Sequence, residues 1–358
     1  MAFISFQPSD YFGSLLYTGN GTAVGSGGNA LTGVGFQPDM TWIKCRNAAQ
    51  GHQLFDAARG ATKVIWPEDQ GAETTRAESL ASWQSDGFTL GNDGDVNTNS
   101  NTYVSWNWKM GTTSGLSGGT ITPSAYSINA TSGVGIYAYA GTSAAATIAH
   151  GLGQAPECLI VKKVTAADSW WVYHRNTHSD ITTSNQYYTV LNTTVTRNTN
   201  SGAWNNTSPT DTLIHLGDAG NTNSSSGSAT YIMYAFTSKN GFSKMGGYKG
   251  NADAADAPFC YTGFRPSMVI FKCASSSDGW WMATRKILGY NRIVKFLTPD
   301  TAEAEQTGGT DHSVDFVSNG FRIRASGNEA NKDGGDFIFM AFADSPVVSS
   351  NSIPGTAF

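Results

Sequence analysis

Few residue groups in this chain have the types and spacing to do chemistry. Gly115-Leu116-Ser117-Gly118-Gly119 has the G-x-S-x-G spacing of a nucleophile elbow, where a serine is exposed on a sharp turn between a strand and a helix. Here the stretch sits in a Gly/Ser/Thr-rich run with neither element beside it, so no nucleophile is read there. His174 and His178 stand four apart, the spacing of two metal ligands on a helix face. Their surroundings read as a strand and then a loop, which separates them. Asp93, Asp95 and Asn97 alternate oxygen-bearing side chains as a hard cation requires, but the glycine and distal Glu of an EF-hand are missing. They stand as candidate cation ligands beside the plainer reading of a solvated hairpin turn. No Ser/His/Asp grouping or carboxylate pair recurs along the chain. The expectation is a protein with no catalytic residues, no cofactor and no metal, and not an enzyme.

The tandem tryptophans offer binding chemistry instead. Trp170-Trp171-Val172-Tyr173 and Trp280-Trp281-Met282-Ala283 line up with His52-Gln53-Leu54-Phe55, and Leu54, Val172 and Met282 mark the inward face. Side chains alternate along a strand, so Trp171, Tyr173 and Trp281 are expected to point outward. An outward indole beside Asn/Thr-rich loops is a platform for the C–H face of a sugar. The competing reading is that these rings pack between adjacent modules or subunits.

The elements that would position them recur three times. Each copy has a Tyr-x-Gly opening, a turn ending in Pro, an apolar strand ending in Lys, a corner, and a last aromatic strand. The openings are Tyr17-Thr18-Gly19, Tyr139-Ala140-Gly141 and Tyr248-Lys249-Gly250, and the strands end at Lys44, Lys162 and Lys272. The last strands carry Val104, Trp106 and Trp108, then Ile232, Tyr234 and Phe236, then Ile338, Met340 and Phe342 on one face, with smaller residues on the other. The bulky set is expected to fill a core, and the smaller set to lie under a second layer or at a domain contact. A period of roughly 105–125 residues is long enough for each copy to bury its own core. Short apolar runs bounded by Gly, Asn, Asp and Pro make the chain all-β, as tandem β-sandwiches.

Module 1 is read as residues 1–112, a Gly/Ser/Thr-rich linker as 113–132, module 2 as 133–239, module 3 as 240–346 and an extended tail as 347–358. Modules 2 and 3, almost without a linker, are expected to be rigidly apposed and module 1 looser. Ala72–Ser82 is the one helical candidate, of one or two turns.

Composition narrows the function classes. Only 14% of the 358 residues are charged and the net charge is −5, so there is no basic footprint for nucleic acid. No run is long enough for a membrane-spanning helix, and the start lacks the signature of a signal peptide. Cys45 and Cys273 hold the same place in different modules, and Cys158 and Cys260 lack C-x-x-C spacing, so four free thiols are expected.

Ile4-Ser5-Phe6-Gln7-Pro8-Ser9-Asp10-Tyr11-Phe12, Gly35-Phe36-Gln37-Pro38-Asp39-Met40-Thr41-Trp42-Ile43-Lys44, Ser85-Asp86-Gly87-Phe88-Thr89-Leu90-Gly91 and the ending Met340-Ala341-Phe342-Ala343-Asp344-Ser345-Pro346 together resemble virion structural proteins of tailed bacteriophages, of marine cyanophage and pelagiphage type. The resemblance spans nearly the whole chain and implies concanavalin-like (jelly-roll type) β-sandwiches. It implies a tail-fibre or other appendage protein on the particle surface, made in the bacterial cytoplasm and bringing no catalytic residues. The expected partners are other virion proteins and host-surface glycans, with no nucleic acid and no membrane insertion. A homotrimer is one expectation for such a fibre, and a threefold shape supplied by the three modules of one chain is the other. The alternative function is a capsid-decoration or tail-connector piece that binds no receptor. Met1–Phe12 and Val347–Phe358, apolar or Pro-bounded, are both candidate docking segments.

Overall fold

The computed structural model describes residues 6–309 and 312–345. Its strands are short, and every pairing of one named strand with another is antiparallel. Three large sheets share one strand order. In the first unit it is Phe12–Thr18, Thr102–Trp108, Met40–Cys45 and Gln53–Asp56. In the second, Val134–Ala140, Thr230–Phe236, Cys158–Lys163 and Trp171–His174 take the same places, and in the third Ser243–Lys249, Asp336–Phe342, Met268–Cys273 and Trp280–Thr284 do. The register repeats as well: Trp42 faces Trp106, Ile160 faces Tyr234, and Ile270 faces Met340.

A smaller sheet lies behind each large one, giving each unit a two-layer, sandwich-like form. It is built by Asn29–Thr32, Gly87–Leu90 and Leu80–Gln84, by Ala146–Ala149 and Leu213–Leu216, and by Phe259–Tyr261, Gly320–Ile323 and Val314–Val317. Between the layers of each unit is a private core. Ile43, Phe55, Phe88 and Tyr103 fill the first, Tyr137, Trp171, Trp204 and Met233 the second, and Phe271, Trp281, Phe321 and Phe339 the third.

The bulky face of each last strand serves a different core. Trp106 and Trp108, Tyr234 and Phe236, and Met340 and Phe342 all belong to one apolar cluster where the three large sheets meet. Phe342 touches Phe12, Trp108 and Phe236, at ring-centroid distances of 5.4, 5.5 and 5.8 Å. The faces are thus the reverse of a simple sandwich, with the larger residues at the contact between units and the smaller ones under the second layer. Fully burying one such side chain stabilises the fold by roughly 1.5–3 kcal/mol, so the shared core binds the three units into one body. The first unit contributes as fully as the others and is not looser.

The repeated signature has a local cause. The hydroxyls of Tyr17, Tyr139 and Tyr248 donate to the carbonyls of Val96, Thr222 and Ala330, at 2.8, 2.6 and 2.8 Å. Each of those residues precedes a buried Asn in a single helical turn: Asn97, Asn223 or Asn331. The Asn amide donates to the carbonyl of Gly91, Gly217 or Ala325, at 2.7, 2.7 and 2.9 Å. Its oxygen accepts the backbone N–H of Asn20, Thr142 or Asn251, just after the Tyr-x-Gly glycine. The Asn therefore ties the first strand's exit to the corner that leads into the last strand.

Several expected boundaries move. Ala72–Ser82 is not helical; it contains Thr74–Thr75 and the start of Leu80–Gln84, a strand of the second layer whose apolar Leu80 fills the private core of the first unit. Much of the expected linker belongs to the second unit: Ala125–Asn129 pairs along Val134–Ala140, and Ile121 bridges to Ile148. Within the expected N-terminal docking segment, Phe6 packs on Tyr11 and Phe242 and Phe12 is wholly buried, so these rings are spent inside the molecule. Met1–Ser5 and the tail 347–358 lie outside the described residues.

Candidate functional site

The lysine that ends each apolar strand is buried, and its position explains how the units hold one another. The ammonium of Lys162 donates to the carbonyl of Gln70 in the first unit, at 3.0 Å, and that of Lys272 to Thr194 in the second, at 3.3 Å. That of Lys44 donates to Ala302 in the third, at 3.1 Å, so the series closes on itself. Each also donates to a carbonyl of its own unit, at Lys163, Asp278 or Gln50. Burial pulls all three lysines down from 10.5 to about 8.

A second bond accompanies each lysine. The indole N–H of Trp170 is shared between the carbonyls of Trp66 and Asp69, at 2.9 and 3.0 Å, and that of Trp280 donates to Val190, at 2.8 Å. In the first unit His52 holds that place, and its Nε2 donates to Thr298 at 3.0 Å. Its Nδ1 accepts the indole N–H of Trp42, at 2.8 Å, which fixes a neutral tautomer. Burial then holds His52 well below its ordinary pKa. A backbone bond completes each clasp, from Glu73 to Val164, Arg197 to Ala274 and Glu305 to Arg46. Three matching clasps make one chain a closed ring with pseudo-threefold symmetry.

The expected aromatic platform is not at the surface. Trp171, Tyr173 and Trp281 are only 7%, 3% and 5% exposed. Trp171 stacks on Tyr188, Tyr173 packs edge-on against Trp204, and Trp281 stacks on His312. They point away from the shared core, but the second layer and its loops cover them. The alternation showed their face and could not show what lay over it.

Asp93 and Asp95 both accept from the guanidinium of Arg76, at 3.2 and 2.7 Å, and Asp93 caps the helical turn by accepting the Asp95 N–H. Asn97 faces inward as the buried tie described above, so the three do not form a common oxygen cage. Among the described residues no three His, Cys, Asp or Glu side chains gather as metal ligands would. His174 donates from Nε2 to the carbonyl of Phe339 in the third unit, at 3.1 Å, while His178 stacks on Tyr187. All four cysteines are free and buried.

The large side chains that do face solvent lie elsewhere. On the edge strand Phe259–Tyr261, Cys260 turns inward while Phe259 and Tyr261 are 48% and 66% exposed. Tyr290, in a loop of the same unit, is 66% exposed. At the matching places the first unit has Ala30 and Thr32 and the second has Thr147 and Ala149, so the aromatic pair is peculiar to the third. A comparison among the copies was the signal that would have found it.

A family model described as a domain of unknown function, DUF7483, matches residues 7–346. The chain belongs to the DUF7483 family. Neither a curated protein nor a solved structure matches it. The matched range takes in all three units and all three clasps, so for this DUF7483 chain the closed ring lies within the family's matched region. No helix among the described residues is long and apolar enough to cross a membrane.

Proposed function

We propose that this DUF7483 chain is a non-enzymatic virion structural protein of a tailed bacteriophage, carried in a fibre, spike or similar appendage, where it contacts the host surface. Its three units are read as concanavalin-like sandwiches. The observation that carries surface contact is the pair Phe259 and Tyr261, turned to solvent on an edge strand where the other two units carry small residues. Large exposed aromatics suit the apolar face of a glycan. The resemblance to phage particle proteins supports the setting, and the closed ring supports a rigid block that needs no second copy to complete a threefold shape. Other virion proteins and host glycans are its proposed partners.

A cryo-EM map of a virion carrying this chain tests the reading. Phe259, Tyr261 and Tyr290 facing solvent at the distal end of an appendage is the expected result. Finding them covered by a neighbouring capsid or connector protein would overturn the recognition role and leave a purely structural component.

A further inference from the structure

The second unit differs from its neighbours at the turn before its lysine strand. Phe36 and Phe264 occupy one position in the first and third units, and both rings are buried in their private cores. The second unit has Gln154 there, whose amide turns away to the carbonyl of Ser238, at 3.2 Å. Where the ring is missing there is a cleft of about 480 Å³, between the turn and the loops around Thr182 and Ser208. That size is in the range of small-molecule sites.

We infer that this cleft is a binding site for a neutral saccharide. Its walls hold one cation, Arg175, and two carboxylates, Glu157 and Asp211. An anion entering it would meet both carboxylates and a cation would meet the guanidinium, whereas a sugar hydroxyl both donates and accepts. Arg175 is positioned for such a ligand. Among the described residues its guanidinium donates only to Glu157 Oε1, at 3.1 Å, and half of the side chain is open to solvent. The matching residue in the third unit, Arg285, is instead engaged by Asp344 at 2.7 Å, and the first unit has Ala57. Asp211 faces the turn, accepting the Ala155 N–H at 3.1 Å. Tyr173 and Pro156, both buried, meet the floor of the cleft only at an edge, while Ile181, 40% exposed, offers apolar surface to a sugar's C–H groups. This site is separate from the aromatic strand of the third unit and does not rest on it.

Saturation-transfer NMR on the full chain tests it, with glucose, galactose, mannose and N-acetylglucosamine as neutral probes and N-acetylneuraminic acid as the anionic one. Transfer to at least one neutral sugar is expected. Gln154→Phe restores the ring found in the other units and should weaken that binding by about tenfold or more, equivalent to roughly 1.4 kcal/mol. Arg175→Gln, at a half-exposed position, should weaken it too and serves if the first variant does not fold. A Phe259→Ala/Tyr261→Ala double variant should leave it unchanged. No transfer to any neutral sugar, stronger binding of the anionic probe, transfer unaffected by both cleft variants, or transfer lost only in the aromatic-strand variant would each overturn the assignment.

Discussion

The ammonium of Lys162 lies 3.0 Å from the carbonyl oxygen of Gln70, across the boundary between the first two units. Repeated at Lys272 and Lys44, this contact places three amines in the joints of the ring, all without solvent exposure. A buried amine gives up its proton more readily than one in water, so the joints respond to pH.

The direction of that response follows from linkage. The lysines titrate at about 8 in the folded chain against an ordinary 10.5, so between those values the unfolded chain binds more protons. Stability from these groups therefore rises with pH from about 8 towards 10.5 and is flat below. Each contributes at most about 1.4 kcal/mol per pH unit within that window. Buried thiols work the other way: burial pushes Cys158, Cys260 and Cys273 up, and their contribution is lost above the ordinary thiol value of 9.0. Urea midpoints of wild type and Lys44→Met between pH 7 and 9 isolate the amine. The variant should show a smaller gain from pH 8 to 9, and identical slopes would refute the assignment.

The glycines of the three Tyr-x-Gly openings should not tolerate a methyl group. A Cβ on Gly19, Gly141 or Gly250 would lie 2.1, 2.0 or 2.1 Å from the carbonyl oxygen of Thr98, Ser224 or Lys332. The obstacle is backbone at the end of the helical turn and cannot rotate away. Each Gly→Ala change should cost about 3 kcal/mol or more, near the upper end for overpacking. Gly25→Ala, with nothing within 4 Å and no unusual φ, should stay within about 0.5 kcal/mol of wild type. Thermal melts of the two kinds of variant decide it.

What was legible in the sequence was whatever depends on near neighbours in the chain. The three copies, the strand alternation and the free thiols are of that kind. The shared core was not, because alternation assigns Trp106 and Ser105 to opposite faces without saying which face meets another unit. Nor were the clasps: the acceptors of Lys44 and His52 are backbone carbonyls of Ala302 and Thr298, about 250 residues away, and a carbonyl leaves no mark on composition. The same gap misplaced the exposed aromatics. Trp171 and Trp281 have the right residue type, yet Tyr188 and His312 cover them, while Phe259 and Tyr261 stand open on a strand too short to draw notice.

The ring should melt as one body. Separating any unit would expose its large-sheet face, Trp42, Trp106 and Trp108 in the first, and break two clasps at once. Differential scanning calorimetry should give a single transition with calorimetric and van't Hoff enthalpies nearly equal, although multidomain chains usually depart from this. Three resolved transitions, or a ratio of about 3, would mean that the shared core contributes little.

Glu68 is the joint residue most open to improvement. Its Oε1 accepts the His52 N–H at 3.0 Å, whereas Oε2 is buried with no hydrogen-bond partner. Burial raises this carboxyl from 4.5 to about 8, so it is protonated in the folded chain at neutral pH. The folded state then binds more protons than the unfolded state between those values, and the contribution of Glu68 to stability falls as pH rises from about 4.5 to 8. An amide accepts the same N–H without that loss. The second unit already uses one, since Asn192 accepts the Trp170 N–H at 2.9 Å in the matching position. Glu68→Gln should therefore raise the denaturation midpoint at pH 8 by an amount worth about 1–3 kcal/mol, and by less at pH 5. Equal effects at both pH values would show that the Glu68 carboxyl is ionised in the fold.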